Sequence, residues 1–196
     1  MPNTPFKALD MAAAEVEIEA IDGGSILRSP QTLDPYPRCV GEMLCHWATA
    51  APDRTFMAER GADDAWRRVT YGETLAAVRN LGQALLDRRL DDDRPVAILS
   101  DNGIDNGLLQ LAAMHVGIPV APVSPAYSLM STDFGKLATI AETLTPGLVF
   151  AADGAAFADA FSAVDFGDAE IIAGDDGTFA GLMATTPTDA VEAAFQ

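Results

Sequence analysis

"PVAILSDNGIDNGLLQLAAMHVGIPVAPVSPAYS", residues 95–128, decides the fold. PVAILS (95–100) is a short apolar run with the composition of a strand. IDNGLLQLAAMHVG then reads as a mostly apolar helix that stops at Gly117, a residue suited to the left-handed helix exit. IPVAPV (118–123) is a second strand. Strand, helix, strand over this length is the βαβ unit, which requires parallel pairing. The pattern continues downstream. STDFGKLATIAETL opens on a Ser/Thr/Asp cap and is a helix, LVFA (148–151) a third strand, AAFADAFSAV a helix, and EIIA (170–173) a fourth strand. Strand starts recur every 22 to 30 residues with one helix in each gap. The predicted fold class is therefore α/β: a Rossmann-like parallel sheet with helices on both faces. Strands that are nearly continuous apolar runs, rather than alternating, agree with burial on both sides.

Upstream, the chain prepares this sheet. VEIEAI (16–21) alternates apolar and acidic residues and reads as a short edge strand, with a turn at Asp22-Gly23-Gly24. LRSPQTLDPYPR carries three prolines and reads as an extended arm, so residues 1–38 form an N-terminal arm. From Val40 the residues Val40, Met43, Leu44, Trp47 and Ala51 trace one helical apolar stripe. TFMAERGADDAWRRVT predicts a β-hairpin, Thr55–Glu59 against Trp66–Thr70, about a polar turn at Gly61–Asp64. Thr70 and Glu73 form a T-x-x-E capping box opening a helix to about Arg89, with Leu75, Val78, Leu81 and Leu85 on its core face. TFAGLMATTPTDAVEAAFQ closes the sequence as a short helix and then a polar linker over 185–196.

Composition narrows the partners. The 196 residues carry a formal charge of −17, from 29 acidic against 12 basic residues, and the last cation is Lys136. Nucleic acid and anionic membrane are not expected, because phosphate binding needs clustered Lys and Arg. No apolar run is long enough for a membrane span, and the N-terminus has no apolar leader segment, so a cytoplasmic location is expected. Cys39 and Cys45 are too few for a disulfide framework, and with only His46 and His115 beside them no metal-ligand spacing appears.

Motifs of nucleotide and hydrolytic chemistry are missing from these residues. There is no G-x-x-x-x-G-K-[ST] and no G-x-G-x-x-G after a strand, and the only lysines are Lys7 and Lys136. Asp133-Phe134-Gly135 and Asp165-Phe166-Gly167 repeat the kinase tripeptide without its lysine or catalytic loop, and read as a helix start and a helix exit. No G-x-S-x-G elbow is present. His115 is expected as a partly buried, hydrogen-bonded residue, His46 as a surface one, and Trp66 and Tyr71 as packing at a strand-to-helix corner. No catalytic residue is assigned. The one candidate region is the proline-stiffened loop after the second strand. Ser124, Tyr127 and Ser128 lie just past a strand's carboxyl end, and Pro122 and Pro125 restrict the backbone there. These residues either wall a substrate or cofactor channel or form a rigid corner before a capped helix.

AILSDNGIDNGLLQLAAMHVGIPVAPVSPAYSLMSTDFGKL, with GSILRSPQTLDPYP, HWATAAPDRTFMAER, WRRVTYGETL and LTPGLVFA, resembles the early part of AMP-forming acyl- and aryl-CoA synthetases. Within that family it looks most like the feruloyl-CoA synthases. The resemblance covers nearly the whole chain. It implies that residues 39–184 are the N-terminal subdomain of an AMP-binding synthetase domain. It implies ATP, Mg²⁺ and coenzyme A as cofactors of the full-length family enzyme, and a ferulate-like aromatic carboxylic acid as substrate. Such enzymes join the acid to ATP, release pyrophosphate, and pass the acyl group to coenzyme A. Their T-S-G-[ST]-T-G-x-P-K-type phosphate loop does not occur here. The chain is accordingly expected to be an N-terminal fragment, inactive alone and without tight binding of these cofactors. It is expected to need the remainder of the synthetase. Two alternatives stay open: a non-catalytic module that complements a separate chain, and an independent small-molecule-binding α/β domain.

Overall fold

A computed structural model describes residues 15–61 and 64–196. Two compact units divide the chain, the first ending at Pro37 and the second running from Arg38 to Gln196. In the first, β1 (Glu17–Ile21) pairs antiparallel with β2 (Gly24–Arg28) across a two-residue turn, Ile18 opposite Leu27 and Ile21 opposite Gly24. Gly23 takes φ +77°, the left-handed value that a tight D-G hairpin turn needs. The expected edge strand is thus half of a hairpin, and its second strand runs from Gly24, expected in the turn, to Arg28, expected in the extended stretch.

The second unit holds the sheet. Its elements are α1 (Val40–Ala50), β3 (Thr55–Arg60), β4 (Trp66–Thr70), α2 (Tyr71–Asp87), β5 (Val96–Ile98), α3 (Ile104–His115), β6 (Val120–Pro122), α4 (Ala126–Leu129), α5 (Gly135–Leu144), β7 (Leu148–Ala151), α6 (Ala158–Ala163), β8 (Glu170–Ala173), α7 (Thr178–Met183) and α8 (Asp189–Phe195). The strands lie in the order β6-β5-β7-β8, all parallel. Successive side chains of a strand leave opposite faces, and each face has its own core. Val96, Ile98, Leu148, Phe150 and Ile172 pack with Leu81, Leu85, Leu108, Leu109 and Phe179 from α2, α3 and α7. Ala97, Leu99, Val149 and Ala151 pack with Leu137, Ala141, Phe157 and Ala160 from α5, α6 and the turn before α6. β5, β6 and β7 are apolar at every position, and β8 carries Glu170 at its exposed start.

The expected hairpin is β3–β4, with a register shift between Thr55 and Met57; its turn includes residues 62–63, which lie outside the described residues. The capping box is present in full. The Glu73 N–H donates to Thr70 Oγ1 at 3.2 Å and the Thr70 N–H to Glu73 Oε2 at 2.8 Å. On α1 the buried side is narrower than the stripe suggests, with Gly41 and Leu44 buried but Val40 and Met43 each 49% exposed.

The polar linker expected over 185–196 is largely helix. α8 buries Val191, Thr188 Oγ1 caps it by accepting the Ala190 N–H, and the Thr188 N–H and hydroxyl both donate to Gln83 Oε1 on α2. Residues with one apolar side and a threonine cap stay helical because α2 and α3 give that side a surface to cover. No described helix is long and apolar enough to cross a membrane.

Candidate functional site

The chain leaves β5 through α3 on one face to reach β6, then returns through α5 on the other face to reach β7. The strand order therefore reverses at β5, and the carboxyl ends of β5 and β7 flank the crevice where open α/β sheets take ligands. Here that crevice is bridged. The Ala152 N–H after β7 donates to Ser100 Oγ after β5, and Ser100 is buried.

Several backbone donors around this rim are taken by carboxylates. At the start of α3 the Ile104 N–H donates to Glu59 Oε2 at 2.7 Å, reaching across from β3. Glu59 is held in turn by Arg67 at 2.9 Å, whose other arm reaches Asp105 at 2.8 Å. After β6, the Gly135 N–H donates to Asp133 Oδ1 at 3.2 Å. After β7, the Gly154 N–H donates to Asp175 at 2.7 Å and the Ala156 N–H to Asp153 at 2.9 Å. After β8, the Thr178 N–H donates to Asp176 at 2.8 Å. The Gly135 N–H and the Ser131 hydroxyl hold the Asp133 carboxyl below its usual range, and the Thr178 hydroxyl and N–H do the same for Asp176. The rim is a ring of anions seated on the donors that a phosphate would use. The carboxylates come from as far away as β3, so motif reading alone does not find them.

The predicted loop lies at one side of this rim. Residues 126–129, expected as loop, form the one-turn helix α4, entered through Pro125 at φ −56°, a value its ring enforces. The Tyr127 N–H donates to the Ser124 carbonyl and the Ser128 N–H to the Pro125 carbonyl, both at 3.0 Å. Ser124 and Tyr127 line a groove of about 480 Å³ between β6 and α5, with Val123, Thr139, Ile140 and Leu144 along it. Lys136 Nζ stands 5.3 Å from the Tyr127 ring centroid, close enough for a cation–π contact. Ser128 is not with them: it is 6% exposed and its hydroxyl has no hydrogen-bond partner among the described residues. The groove is mainly apolar, has an aromatic side, and runs beside β6, an edge strand of the four-stranded sheet.

Other candidate groups are spread out. Cys39 and Cys45 are free thiols, and burial pushes the Cys45 thiol above its usual value. Among the described residues no group of three or more His, Cys, Asp or Glu could hold a metal ion. His46 is exposed, as expected. Tyr71 is half-buried and packs on Phe56, whereas Trp66 is 48% exposed beneath Arg60 and Arg68. His115 departs from expectation. It is fully buried, and neither ring nitrogen has a partner among the described residues.

A family described as "AMP-binding enzyme" matches residues 44–186. Solved structures similar to the chain include the N-terminal domain of FACL13 from Mycobacterium tuberculosis, at 20% identity and TM-score 0.61, covering 76% of this chain and 36% of that one. The N-terminal subdomain of Klebsiella oxytoca NpsA in complex with 3-hydroxyanthranilyl-AMSN is similar at 17% identity and TM-score 0.56, covering 76% and 33%. A fatty acyl-adenylate ligase from L. pneumophila in complex with acyl adenylate and pyrophosphate matches at 16% identity and TM-score 0.57, covering 77% and 26%. The chain thus spans about a third or less of the length of the structures it matches, and at these identities the likeness is one of fold.

Proposed function

The chain belongs to the AMP-binding enzyme family, and on that premise we propose that it is the first sheet of an ATP-dependent carboxylate–CoA ligase of the feruloyl-CoA synthase type. Its share of the work is to wall the acid channel rather than to hold the nucleotide. The observation that carries this reading is the groove beside α4. Prolines set its backbone, Tyr127 gives it an aromatic contact, and Ser124, Thr139 and Thr143 give it hydroxyls on a mainly apolar lining. Such a lining suits the ring of an aromatic acid better than a charged headgroup.

ATP, Mg²⁺ and coenzyme A belong to the family reaction, but the residues of this sheet do not fit their phosphates. The N–H donors of the rim face carboxylates, and Lys136, the last cation of the chain, lies over Tyr127. A triphosphate brought here would meet Glu59, Asp133, Asp153, Asp175 and Asp176, of which Glu59 alone has an ion-pair partner among the described residues, Arg67. Phosphate binding is therefore assigned to residues other than these 196.

The test is a thioester assay. The purified chain with ATP, Mg²⁺, ferulate and coenzyme A should form no feruloyl-CoA, and adding a chain that carries the family's phosphate loop and lid should restore it. Feruloyl-CoA from the first mixture, or none from the second, overturns the proposal.

A further inference from the structure

α8 is a seven-residue helix whose docking converges on one ring. His115 ends α3 at 1% exposure and stacks flat on Phe195 of α8, ring centroids 4.1 Å apart and planes 9° from parallel. Gly41 of α1 closes over both rings. A Cβ placed there would lie 3.2 Å from His115 Nδ1 and 2.6 Å from Phe195 Cε2, so this site has no room for a water beside Nδ1. Both imidazole nitrogens lack a partner among the described residues. A neutral ring tolerates this as a stacked, nearly apolar disc. A charged one has two N–H donors and a full charge with nowhere to place them.

The surrounding charges do not remove the conflict. From α8, Glu192 favours a charged ring, but it is paired at 2.8 Å with Arg79 of α2, which opposes one. From the α1 side come Arg38, whose guanidinium lies 5.4 Å from the Phe195 ring centroid and donates to the Phe195 carbonyl at 2.7 Å, and the Cys45 thiol, which burial keeps protonated. Burial outweighs Glu192 and lowers the affinity of His115 for a proton.

We propose that α8 is a proton-operated latch, docked on the neutral His115 ring and released when that ring takes a proton. Of the elements around the ring, α8 is the one that can leave at least cost. Val191 is its one buried residue, and its remaining ties are the Phe195 stack, the half-exposed Arg79–Glu192 pair and bonds to Arg38 and Gln83. Its departure opens one face of the imidazole to water without disturbing the strands.

The sign follows from linkage. The docked ring has a pKa below the ordinary 6.5, so the docked state binds fewer protons than the released one. Docking is at full strength above pH 6.5 and weakens as pH falls, by about tenfold in the docked-to-released ratio per pH unit, until the lowered pKa is reached.

Hydrogen exchange of the α8 amides in the full chain, corrected for intrinsic rates and read from pH 7.5 to 5, tests this. Wild-type protection should fall about tenfold per unit below 6.5, and His115→Phe, which keeps the stack and removes the proton site, should hold α8 protected throughout. Constant wild-type protection, or the same loss in both proteins, overturns the latch. Should His115→Phe not fold, proton NMR of the wild-type imidazoles decides. His115 should titrate below the ordinary 6.5, and a midpoint at or above that value overturns the proposal.

Discussion

Phe150→Ala is expected to destabilise the sheet unit by about 3–5 kcal/mol, the usual range for deleting a buried aromatic ring. Phe150 lies on β7, between β5 and β8, and is 0% exposed. Its ring meets Phe179 of α7 at 4.8 Å, on the face shared with α2 and α3. The backbone around it is tied on both sides by the strand ladder, with Phe150 opposite Ile98 and Ile172. The walls therefore cannot collapse into the space, and the cavity term adds in full to the lost transfer energy. Urea unfolding followed by circular dichroism measures it. A loss under about 1 kcal/mol would mean that the helices repack onto β7 and that this core is looser than described.

Gly174→Ala is expected to cost about 1–3 kcal/mol by overpacking, despite adding a single methyl group. Gly174 follows β8, and its N–H donates to the Ala151 carbonyl at 3.0 Å. A Cβ there would stand 2.6 Å from the Ala152 carbonyl oxygen and 3.2 Å from its carbon. Those atoms are backbone, so no side chain can rotate away. The carboxyl ends of β7 and β8 would have to part, breaking the Gly154 N–H contact to Asp175 with them. Denaturant unfolding should show the loss, and hydrogen exchange should place it at residues 152–156 and 173–178. Gly23→Ala has open space around it, so its cost would arise only from the positive φ. Comparing the two separates crowding from backbone strain.

How much of this was legible in the sequence depends on the range of the interaction. The apolar strand runs, their intervening helices and the Thr70–Glu73 box are written in residues a few positions apart, and residues 95–128 show two of the strands and the helix between them directly. The D-G turn at 22–23 was also legible, but its second strand was not. GSILR has little alternation, and what makes it a strand is the backbone of β1 opposite. α8 failed as a reading for a related reason. DAVEAAF offers only Val191 and Phe195 as anchors, too few to announce a helix until α2 and α3 supply the surface. The threonine cap was the available signal.

At the candidate site, the position of the loop past β6 followed from strand rhythm alone, and Ser124 and Tyr127 do share a groove. The fate of Ser128 could not be read, since one helical turn carries it away from its neighbours. Nor could the rim of carboxylates. Glu59 meets Ile104 across 45 residues and Asp175 meets Gly154 across 21, pairings that exist only once the sheet has formed. His115 shows the same limit. Composition predicts burial for such a residue, whereas hydrogen-bond satisfaction is a property of the packed neighbours.

The most direct test is calorimetric titration of MgATP into the purified chain at neutral pH and low salt, where an attractive phosphate site would bind most strongly. The carboxylate-capped rim predicts no saturable heat. A saturable isotherm that is lost when Ser100 or the Gly103–Ile104 turn is altered would contradict it, because the crevice between β5 and β7 would then be a working phosphate site.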